Sequence, residues 1–411
     1  MSVTTPRSVR ESDSGASRVE TMPAVRGQWR MLVILSLAEL LGMSLWFAGS
    51  AVAPQLAERW TLSASETAWL STSVQLGFVA GTAIAALLNL ADTLSSRAYF
   101  ATAALIGASA NAALVVTPGY RSALLLRLLT GACLAGVYPP AMKMISTWFQ
   151  TRRGLAIGTV VGALTAGKAM PYLVHAIPDI GVAPVILSAS AGAVMAALLI
   201  LVAYRDGPFP FPRRPFSWSL ARAVLESRDY RLVLGGYAGH MFELYSYWVW
   251  IPLFLAASVA DQHVSSSMVS LLSFAAIAVG AVGCIVGGAA ADRVGYARFV
   301  MGAMAVSGAC ALLTPLVFGR SVPLLTVLVL LWGVAVIADS AQFSTLVTRV
   351  VPSHAVGTAL TLQTSIGFLL TTISIQLIPP VVALVGWKYA FPMLALGPLV
   401  GILTIRRLRA G

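Results

Sequence analysis

Apolar residues run along this chain in blocks of about twenty, separated by short polar turns, with no sustained two-residue alternation of the kind that marks half-buried strands. The blocks lie at 30–53, 66–90, 98–117, 121–147, 154–177 and 182–204, then at 231–257, 266–290, 299–318, 322–347, 356–379 and 388–405. A helix rises about 1.5 Å per residue and the hydrocarbon core is about 30 Å thick, so these blocks are predicted to be membrane-spanning helices. The pattern therefore predicts an all-α membrane protein of twelve spans in two six-helix bundles related by a pseudo-two-fold axis, split by the long polar connection at 205–230. Residues 29–204 would form the first bundle and 231–405 the second, with tails at 1–28 and 406–411.

Composition narrows the class. Of 411 residues, 58% are hydrophobic and 10% charged, and the mean hydropathy is +0.84. Soluble domains run to about 45–50% apolar and about 25% charged, so a soluble enzyme, a disordered protein and a nucleic-acid binder are excluded. The net charge of +12 comes from short basic clusters between apolar runs. With the N-terminus inside, 20 of the 27 basic residues fall on the cytoplasmic side, four (Arg59, Arg121, Arg320, Lys388) outside, and three (Arg127, Lys143, Lys168) within spans. That asymmetry predicts a multi-pass protein of the cytoplasmic membrane with both termini inside. The first 28 residues have no apolar core or small-residue cleavage site and read as a disordered tail, so the first span would itself direct insertion. Cys133, Cys284 and Cys310 sit in apolar runs, and neither a disulfide nor a metal or cofactor is expected.

The two halves repeat. Asp92 to Arg97 follows the second span and Asp292 to Arg298 the eighth, with the aspartates 200 residues apart. Gly154 opens span five and Gly357 span eleven, 203 residues on. The stretch Gly288 to Arg298 has glycine, three residues, Asp292, Arg293, one residue, Gly295 and then a basic residue. It resembles the cytoplasmic loop motif of the major facilitator superfamily, over a likeness reaching from about Arg26 to Arg409. The earlier copy departs from the motif, with Thr93 in place of a basic residue and Ser95 in place of glycine. Arg127 and Gly131 resemble the superfamily's span-four motif. Gly158 and Gly167 resemble its span-five motif, although Pro171 stands without the preceding glycine of antiporters. The run Gly236 to Tyr245 looks like bacterial importers grouped with cyanate and nitrate/nitrite carriers. The resemblance implies secondary transport by alternating access, with spans one, four, seven and ten lining a central cavity.

Ionisable groups inside spans are the candidate chemistry, because each costs roughly 2.5–3.5 kcal/mol at mid-bilayer. Glu39 is nine residues past Arg30, Glu243 twelve past Arg231 with His240 one turn earlier, and Asp339 ten before Arg349. At 1.5 Å per residue these lie about 13–18 Å deep. With Arg127 and Lys168 they form the candidate cavity for substrate and protons, with Tyr245 and Trp248 placed to stack on a planar substrate. Glu243 is the leading candidate for carrying the proton. The competing account is structural, with buried ion pairs such as Glu39 with Lys168, or Glu243 held against a basic partner. Lys143 reads as a snorkelling side chain near Trp148. Asp92, Arg97, Asp292, Arg293 and Arg298 are expected to gate the cytoplasmic face, the acids contacting helix N-termini and neighbouring arginines. Pro139 and Pro140 are expected to bend span four.

No P-loop is present, so transport would draw on an ion gradient rather than ATP. A membrane enzyme would need a nucleophile–base set or metal ligands, and the four histidines (His175, His240, His263, His354) are scattered. A sensor would need an output domain. The reading is a monomeric transporter of a small organic anion or aromatic metabolite, proton-coupled and working as an importer, with efflux antiport as the alternative.

Overall fold

The computed structural model describes residues 26–209 and 217–408; the N-terminal tail up to 25, part of the proline-rich linker and the last three residues lie outside the described residues. Among the described residues every regular element is a helix. The first half contains α1 (Gln28–Met43), α2 (Leu45–Ala51), α3 (Ala53–Trp60), α4 (Ala64–Leu87), α5 (Leu90–Thr93), α6 (Ser96–Ala112), α7 (Tyr120–Leu134), α8 (Tyr138–Ser146), α9 (Arg153–His175) and α10 (Val182–Ala203). The linker carries α11 (Trp218–Glu226). The second half contains α12 (Arg228–Ser258), α13 (Ser266–Ala278), α14 (Gly280–Val294), α15 (Tyr296–Val317), α16 (Val322–Ala338), α17 (Ser340–Val350), α18 (Val356–Ala390) and α19 (Leu396–Ile405).

Ten helical segments are long and apolar enough to cross a membrane, the last being the continuous stretch Val356–Ile405 of 50 residues. Within it Gly386 has φ 74° and ψ 167°, a conformation that interrupts the helix. The 31-residue α12 is not among the ten. Glu243 and its run of tyrosines and tryptophans hold its hydropathy down.

Serines start many of the helices. Ser63 and Glu66 form a reciprocal capping box at α4, while Ser95, Ser227 and Ser265 cap α6, α12 and α13. Several spans are also broken inside. The first breaks at Ser44, whose hydroxyl donates to the carbonyl of Leu41 at 2.6 Å. Span four breaks between α7 and α8, with proline in the first turn of α8. This matches the expected effect of Pro139 and Pro140, which lack amide protons. Further breaks fall at Val279, between α13 and α14, and at Asp339, between α16 and α17.

Helices pack through bare backbone. A methyl group added at Gly131 would collide with the Val74 carbonyl, and one at Gly77 with that of Leu128, so α4 and α7 touch reciprocally. Gly167 meets the carbonyl of Leu40, which brings α9 against α1. In the first half α1 also packs on α10, and α6 on both α7 and α10. In the second, α12 packs on α18 and α19, and α16 on α14 and α15. The halves meet along α4 with α18 and along α9 with α13 and α14.

Gly131→Leu should therefore cost more than the roughly 1–3 kcal/mol of ordinary overpacking, because the obstacle is backbone. Gly302→Ala, where nothing lies within 4 Å, should be neutral or gain up to about 1 kcal/mol. Thermal unfolding of the purified variants distinguishes the two.

Candidate functional site

Lys168 is the organising charge. The contact of Gly167 with Leu40 carries it into the space between the halves, where its side chain is buried. Its Nζ donates to the Tyr245 hydroxyl at 2.5 Å and lies 4.0, 4.8 and 5.0 Å from the ring centroids of Trp46, Tyr245 and Trp248. These are cation–π distances, and Lys168 is thus held in a cage built from both halves. The rings continue as a layer: Trp46 packs on Phe78 and Phe368 at 5.1 and 5.6 Å, and Phe47 on Trp248 at 6.1 Å. The indole N–H groups of Trp46 and Trp248 are buried and have no hydrogen-bond partner.

Glu39 stands at the same crossing of α1 and α9, next to Leu40. It is fully buried, and neither carboxylate oxygen has a hydrogen-bond partner. Lys168 is close enough for its charge to act on Glu39, but no ion pair within 4 Å joins them, unlike the pairing considered from sequence. Beyond the aromatic layer a cavity of about 310 Å³ opens on the face that carries the turn between α3 and α4. Ser50, Gln55, Glu58 and Tyr172 line it, with His175 hydrogen-bonded to Gln55 at 2.6 Å and to Ser270 at 2.8 Å. Phe47 lies 6.4 Å from the Tyr172 ring, which lines this cavity, and 6.1 Å from the Trp248 ring of the cage.

The other candidates are placed elsewhere. Arg127 is fully buried and spends its donors on backbone. Nη1 bonds the Leu45 carbonyl at 3.1 Å, Nη2 that of Trp46 at 2.5 Å and Nε that of Leu70 at 3.2 Å, with Asn111 Oδ1 at 3.4 Å. It braces the break in span one. Gly49 leaves room for it, since an added methyl would stand 2.9 Å from Nε.

His240 Nδ1 lies 2.8 Å from Asp339 Oδ1, both almost fully buried, with Tyr237 and Phe343 flanking the imidazole. Asp339 thus ties the break in span ten to α12. Glu243 departs from the structural account, in which a basic partner holds it. Its Oε1 accepts from Trp332 Nε1 and its Oε2 from Ser307, each at 2.8 Å. The carboxylate therefore faces α15 and α16 inside the second half, and its partners are neutral rather than basic.

At the loops, Asp292 accepts a hydrogen bond from Tyr296, one turn on, and the Arg349 guanidinium lies 4.4 Å over that tyrosine ring. Arg293 and Arg298 are exposed and no ion pair joins them to Asp292; the loop is short enough that Tyr296 reaches the carboxylate first. Arg97 donates to the Leu201 carbonyl near the end of α10. The Asp92 side chain lies outside the described residues.

Trp46 was not singled out from sequence, although it carries one wall of the cage. A tryptophan in the middle of a span, away from the interfaces where this residue concentrates, was the available signal.

A family model described as Major Facilitator Superfamily matches residues 34–375, and the chain belongs to that superfamily. An MFS-type transporter of Aspergillus terreus, pytF, is 28% identical over 240 residues, which cover 57% of this chain and 78% of that protein. The crystal structure of a bacterial homologue of the human lysosomal transporter Spinster, inward-facing and unoccupied, aligns with a TM-score of 0.64. It shares 16% identity over 94% of this chain and 95% of its own and has the same fold. The protein is accordingly a transporter and not an enzyme.

The bonding of Glu243 generates a direct test. Glu243→Leu strands the buried Trp332 N–H and should destabilise by about 1–3 kcal/mol. Glu243→Gln keeps an acceptor for it and should be close to neutral. Equal thermal destabilisation of the two would contradict this bonding.

Proposed function

We propose that this protein is a proton-coupled secondary importer of a small organic anion with a flat apolar body, and that the anion binds at the Lys168 cage. The observation that carries the reading is a buried ammonium with no carboxylate within 4 Å, walled by Trp46, Tyr245 and Trp248. A fully buried cation ordinarily demands an anionic partner. Here a substrate carboxylate is that partner, with the unpaired indole N–H groups of Trp46 and Trp248 as further donors and the rings stacking on its body. The cage is also shared between halves, as a site that alternates its access must be.

The same reading counts twelve spans in two six-helix bundles. It takes the ten apolar segments, divides Val356–Ile405 at Gly386, and adds α12. On this reading both termini and the 205–230 linker lie on the cytoplasmic side of the inner membrane, which the excess of basic residues there supports, and the 310 Å³ cavity faces outward. The protein works as a monomer. Asp292, held by Tyr296 and linked through it to Arg349, serves the cytoplasmic gate with Asp92, Arg97, Arg293 and Arg298.

Binding to the purified protein tests the substrate class. 4-Hydroxybenzoate should raise the unfolding temperature, by about 2.7 kcal/mol of stabilisation at a hundred times its Kd, whereas 4-hydroxybenzamide and 4-hydroxybenzylamine should not. Lys168→Met should abolish the response. Stabilisation by the amine instead of the carboxylate would overturn the assignment. In cells, deletion should lower accumulation of the labelled anion; a rise would mean export.

A further inference from the structure

Lys168 and Glu39 flank the contact of Gly167 with Leu40 at the centre of this protein, and no ion pair within 4 Å joins them. Lys168 is caged by rings and bonded to one phenol, while both oxygens of Glu39 are buried and unpartnered. The remaining buried charges within the spans are occupied elsewhere: Arg127 by carbonyls, His240 by Asp339, and Glu243 by Ser307 and Trp332. The ionisable groups facing Glu39 are Lys168 on α9 and the Tyr138 phenol on α8, with the Cys284 thiol of α14 facing Lys168. Lys168 and Glu39 therefore set the charge of the central site between them.

Charge counting then constrains what that site can do. In the empty site an ionised Glu39 would balance a charged Lys168, for a total of zero. A monoanion bound at Lys168 would leave one negative charge uncompensated in a region shielded from water, which is strongly unfavourable. Adding a proton to Glu39 restores zero. On release the anion leaves, the proton follows, and Glu39 again balances Lys168. An empty site with Glu39 still protonated and Lys168 charged would carry an unbalanced ammonium through the reorientation, which is unfavourable.

We propose that Glu39 takes up a single proton from the loading side for each monoanion bound at Lys168, so that loaded and empty sites carry equal charge and transport is electroneutral. This rests on the reading of Lys168 as the anion site. It adds the coupling residue, the stoichiometry and the insensitivity to membrane potential. No bond forms between substrate and protein; the proton moves from water to a Glu39 oxygen and back to water. The same counting disfavours dianions, which would require a second proton acceptor at the site.

Calorimetric titration of the purified protein with 4-hydroxybenzoate near pH 7, in buffers of different ionisation enthalpy, reads the protons taken up on binding. Wild type should take up about one per anion. Glu39→Gln should still bind and take up none. In proteoliposomes, an inwardly directed proton gradient should drive accumulation of the labelled anion, while a potassium–valinomycin potential of either sign should not. Binding by wild type without proton uptake, unchanged uptake in Glu39→Gln, or accumulation driven by the potential alone would each overturn the proposal. If Glu39→Gln fails to fold, the wild-type measurements still decide the stoichiometry and electroneutrality, and Glu39→Asp decides the residue: it should shift the pH at which the proton is taken up, and an unchanged pH profile would overturn the assignment. Anion binding without proton uptake would sink only this inference. Failure of every aromatic monocarboxylate to bind would sink the anion reading as well.

Discussion

The bare backbone at Gly167, lying against the carbonyl of Leu40, is the constraint from which the centre of this protein follows. Only a residue without a side chain lets α9 come so close to α1. The two residues that flank this contact, Lys168 and Glu39, are carried with it into the core. Neither is placed by an attraction between them. The packing of uncharged backbone puts both where their charges are costly, and the cage of Trp46, Tyr245 and Trp248 then offsets part of the cost for Lys168. Glu39 has no comparable compensation. That asymmetry is the chemical content of the site.

Interruptions in the spans serve the same arrangement. Just past the break at Ser44, Arg127 collects the carbonyls of Leu45 and Trp46 in the first turn of α2. The guanidinium presents its donors in a rigid planar fork, suited to several carbonyls at once, and lysine could not replace it at this position. Asp339 sits at a second break and reaches His240 across to α12. Buried ionic groups at these breaks are thus brackets that hold half-helices in register. The charges of Lys168 and Glu39 lie between the brackets.

Much of this was legible in the sequence, because hydropathy and charge report on depth and topology. The helical segments, the break at Pro139 and Pro140 and the repeated Asp92 and Asp292 were readable from spacing, and the superfamily from the resemblance of its motifs. Counting residues also put Glu39, His240, Glu243 and Asp339 deep within their helices, where they are buried. What counting cannot supply is rotation. Each residue turns a helix by about 100°, and a break such as that at Ser44 or Asp339 resets the phase. Glu243 and Tyr245 show the consequence, since two residues apart on α12 they face opposite neighbourhoods. Glu243 meets Ser307 and Trp332, while Tyr245 meets Lys168 from the other half. Trp46 escaped notice for a related reason, because its importance depends on Lys168 of α9 arriving over its ring.

The position of the cavity relative to the cage adds a final step. The space beside Gln55, His175 and Ser270 is lined by hydroxyls and one carboxylate, Glu58. Among the described residues no lysine or arginine lines it, so an anion of the proposed kind would meet no guanidinium or ammonium there. The nearest buried cation lies past Phe47 and Trp248, among rings packed at 5–6 Å. Passage therefore requires those rings to move, and they pack across the boundary between the halves. Movement of one half against the other disturbs the same contacts that cage Lys168. Access to the ammonium and the relative position of the halves are consequently one variable, which is the physical requirement for coupling binding to alternating access.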